Sequence, residues 1–300
     1  MTTLRIATRG SRLALIQAGL VAARLRLAGH ETLVHTVETA GDRDQTTALQ
    51  EGEQAGWFTS AIQESLLRGE ADIAVHSYKD LPTKRPPGLV IAAVPVREDP
   101  RDALVSRGRV DLRSLRKGAV VGTSSPRRTA QLLELRPDLD IRVIRGNVET
   151  RIAKVESGDY DATVLALAGL LRLGLRERAD HVFGYEEMLP APAQGALAVE
   201  CRKDDTATRD VLAGIDDAAL RRVVTAERTF LATSDGGCSF PAAAYAEHFG
   251  STLKLNALIA PDGRIVRSKM AGPSETAAGL GRQLAEELMA LAGVARGGGA

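Results

Sequence analysis

Aromatic side chains make up only 3% of the 300 residues, with a single Trp, too few ring faces for a platform that stacks single-stranded nucleic acid. Excess charge is equally scarce: 39 Lys and Arg against 38 Asp and Glu leave a net charge of +1. No global positive field exists to gather a phosphate backbone, so a nucleic-acid partner is not expected. There are two cysteines, Cys201 and Cys238, without Cys-x-x-Cys spacing, which argues against a disulfide framework or a structural zinc site. The five histidines are scattered, and His30-Glu31 with His35 is not the His-Glu-x-x-His pattern, so no metal site is expected. Gly-x-Gly-x-x-Gly and Walker A loops are absent as well. The longest nearly apolar run, Ala162 to Leu171, falls far short of the roughly 20 residues a membrane helix needs. No apolar segment precedes the charged strand at Arg5, and a cytoplasmic protein without a membrane partner is expected.

What the chain does have is arginine placed after strands. Gly122-Thr123-Ser124-Ser125-Pro126-Arg127-Arg128 follows the apolar residues Ala119 to Val121. Ser124 or Ser125 reads as a helix N-cap, Pro126 as the first helical residue, and Gln131 to Leu135 as the helix continuing. Both arginines then fall in a first turn that already carries partial positive charge, which suits a bound anion. The arrangement recurs: Arg5 to Thr8 reads as a strand, Arg9-Gly10-Ser11-Arg12 as a turn, and Leu13 to Leu27 as a helix. Arg145-Gly146-Asn147, with Arg151 beyond, follows the strand Ile141 to Ile144, and Arg172 follows the apolar run Thr163 to Leu171. In open α/β sheets ligands bind beyond the carboxyl ends of strands, so these side chains are expected to line one cleft. Without protein counter-charges, such a partly buried cluster implies a ligand rich in carboxylates or phosphates, and Arg suits bidentate capture of planar carboxylates.

With 44% hydrophobic and 26% charged residues, the chain can fill two or three cores. Strands at Arg5 to Thr8, Thr32 to Thr39, Ile73 to His76 and Leu89 to Val94 alternate with helical stretches, and residues 101 to 189 repeat the theme. That is α/β patterning. Crossings between the two lobes are expected at Glu98 to Asp102 and at Pro190 to Gly195, the second feeding a strand over Ala196 to Glu200 that rejoins the first lobe. The expected fold is therefore α/β, with two periplasmic-binding-protein-like lobes joined by paired hinges: lobe 1 over 1–95 with 196–214, lobe 2 over 101–189. Beyond Asp216 a helix, three strands with a hairpin turn at Pro261-Asp262-Gly263, and a final helix read as a small α+β domain over 217–300. The long polar stretch 41–56, ending at Trp57-Phe58, reads as a lid.

Candidate chemistry sits in His76-Ser77-Tyr78-Lys79-Asp80-Leu81-Pro82, which puts a hydroxyl, an ammonium and a carboxylate at a strand end. A surface turn with a Lys-Asp pair explains the segment about as well, but beside an arginine-lined cleft Asp80 would be the conspicuous carboxylate in a field of cations, suited to stabilise a positive reaction centre. Cys201 ends an apolar strand and reads as a packed core thiol. Cys238 follows two glycines and reads as a projecting nucleophile and covalent attachment point, with a buried structural thiol as the alternative.

These motifs, together with Arg5 to Ser11, Glu98 to Asp102, Gly122 to Arg128, Arg145 to Asn147, Pro192-Ala193-Gln194-Gly195-Ala196 and Gly236-Gly237-Cys238, occur in the order found in the porphobilinogen deaminase (hydroxymethylbilane synthase) family, which the chain resembles over nearly its whole length. The resemblance implies a transferase of tetrapyrrole and haem biosynthesis. Such an enzyme condenses four porphobilinogen units head to tail into hydroxymethylbilane, releasing ammonia, and acts as a monomer. It implies a dipyrromethane cofactor in thioether linkage to Cys238, and Asp80 with Lys79 as catalytic residues. Cofactor and substrate binding would fall to Arg9, Ser11, Ser77, Thr123, Ser125, Arg127, Arg128, Arg145, Gly146, Arg151, Arg172 and Gln194, with Phe58 in the lid. One departure stands out: many family members carry Lys-Gly-x-Phe where this chain has Ala55-Gly56-Trp57-Phe58, so no substrate contact carries over to position 55. The alternative from the residues alone is a non-catalytic intracellular module that binds a polycarboxylate, since two hinged lobes serve ligand closure equally well.

Overall fold

Each of the two five-stranded sheets is completed by a strand that follows a crossing of the chain. The computed structural model describes residues 3–38, 60–234 and 240–294; the stretch 41–56, Phe58 and Cys238 lie outside the described residues. The chain divides into unit 1, Met1–Glu98 with Ala196–Arg221, and unit 2, Asp99–Gly195 with Arg222–Ala300. Unit 1 begins with β1 (Thr3–Thr8), α1 (Arg12–Leu27), β2 (Glu31–Thr36), α2 (Ser60–Leu67), β3 (Ile73–Ser77) and β4 (Leu89–Ala93). Unit 2 follows with β5 (Asp102–Ser106), β6 (Val120–Gly122), α3 (Pro126–Leu135), β7 (Asp140–Arg142), α4 (Val148–Glu156), β8 (Ala162–Ala166), α5 (Leu167–Arg172) and β9 (His181–Val182). The chain then returns to unit 1 as β10 (Leu197–Arg202) and α6 (Thr206–Ala213).

The sheet orders are β2-β1-β3-β10-β4 and β7-β6-β8-β5-β9. In each, three parallel strands are followed by an antiparallel one, β10 against β3 and β5 against β8. The expected return of the 196–200 strand to the first sheet is thus observed, and the fold is α/β. Alternation of side chains across the pleat divides the unit 1 core. Ile6, Ile73, Val75, Leu197 and Val199 pack on α1, whereas Ala7 and Ala74 pack on Ile62 and Leu66 of α2. Cys201 lies in the α1-side core, as expected of a packing thiol, and burial pushes its pKa up to about 11. That leaves it inert as a nucleophile.

The remainder of the chain forms α7 (Ala218–Thr233), β11 (Ala242–Phe249), β12 (Thr252–Ile259), β13 (Val266–Pro273) and α8 (Ala277–Ala292). The strands make an antiparallel sheet, and Phe230, Leu253, Leu255, Leu284 and Leu288 lie in its core. From Arg222 onward this α+β part belongs to unit 2. Tyr185 stacks on Tyr245 at 4.0 Å, and Arg267 of β13 pairs with Glu134 of α3. The two helices approach closely at Gly281, where a Cβ would lie 2.2 Å from the Ala226 carbonyl oxygen and 2.9 Å from the Phe230 nitrogen. Backbone cannot yield as a flexible side chain can, so Gly281→Ala is expected to destabilise the protein by about 1–3 kcal/mol in urea unfolding, the usual cost of overpacking. An unchanged midpoint would show that the helices separate without penalty.

Candidate functional site

In unit 1, β1 and β3 are parallel neighbours, so Arg9 and Ser11 after β1 and Ser77, Lys79 and Asp80 at the end of β3 fall at the same edge of one sheet. Ser11 caps α1, its Oγ accepting from the Ala14 N–H at 3.3 Å. The Ser77 hydroxyl accepts from Gln17 Nε2 of α1 at 2.8 Å. Tyr78 to Asp80 form one 3-10 turn, which begins where the Tyr78 N–H donates to the Ala196 carbonyl at 3.0 Å. Arg9 and Lys79 are half-buried and Asp80 is exposed. His76 lies beneath, on the α2 face, with Nε2 3.4 Å from Glu200, a carboxylate that also accepts from Gln63 of α2 at 3.1 and 3.2 Å.

In unit 2 the carboxyl ends of β6, β7 and β8 likewise share an edge. Of the two candidate caps, Ser125 is the one that closes α3, with Pro126 in the first turn, and the Thr123 hydroxyl accepts from the Ser125 N–H at 3.2 Å. Gly146 has φ +112, and a Cβ there would lie 2.6 Å from Thr150; its carbonyl accepts from Arg151 Nε at 2.8 Å. Arg145 and Arg151 are half-buried around the start of α4, which Asn147 caps. Arg172 does not follow a strand as the apolar run suggested. That run divides into β8 and α5, and Arg172 ends the helix, because a continuous apolar run by itself cannot separate a buried strand from a buried helix.

The Arg127–Arg128 pair, for which the sequence offered no protein counter-charge, has one in the structure. Both residues are buried, at 4% and 6% exposure, and both are paired with Asp102, at 2.7 and 2.6 Å. The antiparallel strand β5 begins where its parallel neighbours end, and so its first residue meets the start of α3. Arg127 also donates to the Leu189 carbonyl at 2.7 Å and Arg128 to that of Val164 at 2.8 Å. Burial alone would raise the Asp102 carboxyl, but the charges of Arg127 and then Arg128 outweigh it and hold the group well below the ordinary carboxylate range. One carboxylate against two guanidiniums leaves one positive charge over, a donor set that fits an anionic ligand.

Gln194 is fully buried, and its Nε2 donates to the Pro100 carbonyl at 2.7 Å and to Asp102 at 2.9 Å. Arg172 donates to the Gly195 carbonyl at 2.7 Å. Asp102 entered the sequence analysis only as part of a crossing motif, and Glu200 and Glu227 carried no site role, yet each left a trace: an acid heading or interrupting an otherwise apolar strand or helix stripe. Glu227, for instance, falls among the buried residues Val223, Val224, Phe230 and Leu231 of α7.

Among the described residues no group of His, Cys, Asp and Glu could hold a metal, and no helix is long and apolar enough to cross a membrane. Residues 4–210 match the family model for porphobilinogen deaminase, dipyromethane cofactor binding domain, and residues 222–290 the model for porphobilinogen deaminase, C-terminal domain. The chain is 47% identical to the porphobilinogen deaminase of Acidothermus cellulolyticus over 295 residues, covering 96% of this chain and 89% of that protein. To the enzyme of Nocardia farcinica it is also 47% identical, over 301 residues, covering 97% and 86% respectively. Among solved structures, the periplasmic VFT2 domain of BvgS from Bordetella pertussis is similar at a TM-score of 0.44 and 17% identity, covering 71% of this chain and 86% of that one. A likeness of that size assigns no function. The relatives' names give no support to a non-catalytic binding module. Matched by both models and along nearly its whole length, the chain belongs to the porphobilinogen deaminase family.

Proposed function

We propose that this chain condenses four porphobilinogen units head to tail into hydroxymethylbilane with release of ammonia, as a cytoplasmic monomer in tetrapyrrole biosynthesis. In this reading a dipyrromethane is held by a thioether to Cys238. The observation that carries it is the match to the cofactor-binding domain model over residues 4–210. The excess positive charge of the Arg127–Asp102–Arg128 triad supports it, because every pyrrole unit brings an acetate and a propionate.

Arg9, Ser11, Thr123, Ser125, Arg127, Arg128, Arg145, Arg151 and Arg172 bind these carboxylates, with the backbone at Gly146. Gln194 acts with them by holding Asp102. The dipyrromethane, when bound, supplies the free α-carbon to which a substrate unit is joined. Loss of ammonia from porphobilinogen leaves an electron-poor methylene pyrrole, and positive charge appears on the pyrrole nitrogen as the new bond forms. Asp80 offsets that charge and takes part in the proton transfers. Its exposed place on the 3-10 turn leaves the carboxylate open to a substrate N–H. Lys79 and Ser77 assist binding; Ser77 accepts from Gln17 and keeps an O–H to donate.

Intact mass spectrometry tests the covalent assignment. Freshly purified protein is expected to be heavier than the bare chain by two pyrrole units, and Cys238→Ser to lack the increment. The bare-chain mass in an active preparation would refute it.

A further inference from the structure

The turn Pro192-Ala193-Gln194-Gly195 brings a second part of unit 2 to the arginine pair. Ala193 is fully buried and adopts φ +63, a left-handed conformation in which a Cβ crowds the following carbonyl. Such a residue persists only where its surroundings impose the conformation. The constraint comes from Glu227 of α7, itself 0% exposed. Its Oε2 accepts from the Ala193 N–H at 2.6 Å and its Oε1 from the Ala246 N–H of β11 at 2.8 Å. A carboxylate offers two acceptors to two donors, whereas an amide must turn an NH2 towards one of them.

The next residue uses the turn. Gln194 Nε2 donates at 2.9 Å to Asp102 Oδ1, the same oxygen that accepts from Arg128 at 2.6 Å. The Gly195 carbonyl accepts from Arg172 at 2.7 Å. The turn that Glu227 fixes reaches Arg172 directly, and Arg127 and Arg128 through Asp102.

We propose that Glu227 is a positioning residue for the arginine cluster, acting through Ala193 and Gln194 to fix Asp102 and the guanidiniums that bind the pyrrole carboxylates. This rests on the deaminase reading. The test uses full-chain enzyme carrying Glu227→Gln, with adduct occupancy by intact mass, KM and kcat for porphobilinogen, and the thermal midpoint. KM is expected to rise roughly tenfold, as for residues that act through a packed network, with a smaller change in kcat per loaded enzyme. Adding Ala193→Gly should recover most of that rise, because glycine takes positive φ unaided. Two results overturn the proposal: a KM rise that Ala193→Gly does not relieve, or a lowered thermal midpoint with wild-type KM and occupancy. If Glu227→Gln does not fold, Glu227→Asp, too short to hold both N–H groups, takes its place under the same expectations. An unloaded, inactive wild-type chain would overturn the deaminase reading and this proposal with it; a loaded, active wild type with unresponsive variants overturns this proposal alone.

Discussion

Asp80→Ala is expected to keep the two-pyrrole adduct on Cys238 and to lose on the order of 10²–10³-fold in kcat, the usual cost of removing one group that stabilises transition-state charge. Asp80 is exposed and ends a short 3-10 turn, so its removal creates no cavity and should leave the thermal midpoint nearly unchanged. Steady-state kinetics and intact mass on the same preparation separate chemistry from cofactor assembly. Turnover within a few-fold of wild type would remove Asp80 from the catalytic role.

Asp102→Asn should act on the fold as strongly as Asp80→Ala acts on the reaction. The substitution leaves two buried guanidiniums without their carboxylate, a change that costs about 3–5 kcal/mol when a buried ion pair loses one partner. The pH dependence carries a further signature. A carboxyl held below its ordinary value contributes stability that is complete above its unfolded value of about pH 4 and is lost as pH falls through the folded value. The difference in unfolding free energy between wild type and variant should therefore be constant near neutrality and shrink in acid below that point. Urea titrations at neutral and acid pH would show it; a difference under about 1 kcal/mol at pH 7 would mean that water or nearby carbonyls satisfy the two arginines.

Local patterns announced the elements well, because they arise from interactions between residues a few positions apart. Ser125 and Pro126 mark the start of α3 through capping and a fixed φ, and Pro261-Asp262-Gly263 marks a hairpin where Gly263 takes φ +77. The strand after the second crossing was also readable as an apolar run leaving a Pro and Gly turn. The boundary between β8 and α5 was not, since apolar residues bury equally well in either form. The motif Glu98 to Asp102 was visible as a string, but nothing near it in sequence shows that Asp102 faces arginines more than twenty positions later.

The sequence alone determined the α/β class, the family, and the candidates Asp80 and Cys238, all of which depend on residue identity and order along the chain. Tertiary structure decided the electrostatics. An antiparallel strand entering each sheet after a crossing sets its first residues against the carboxyl ends of parallel neighbours. In unit 2 that places Asp102 between Arg127 and Arg128, and a turn held by Glu227 adds Gln194 to the same carboxylate. Coulomb energy depends on distance and burial, and neither is fixed until the sheet has closed.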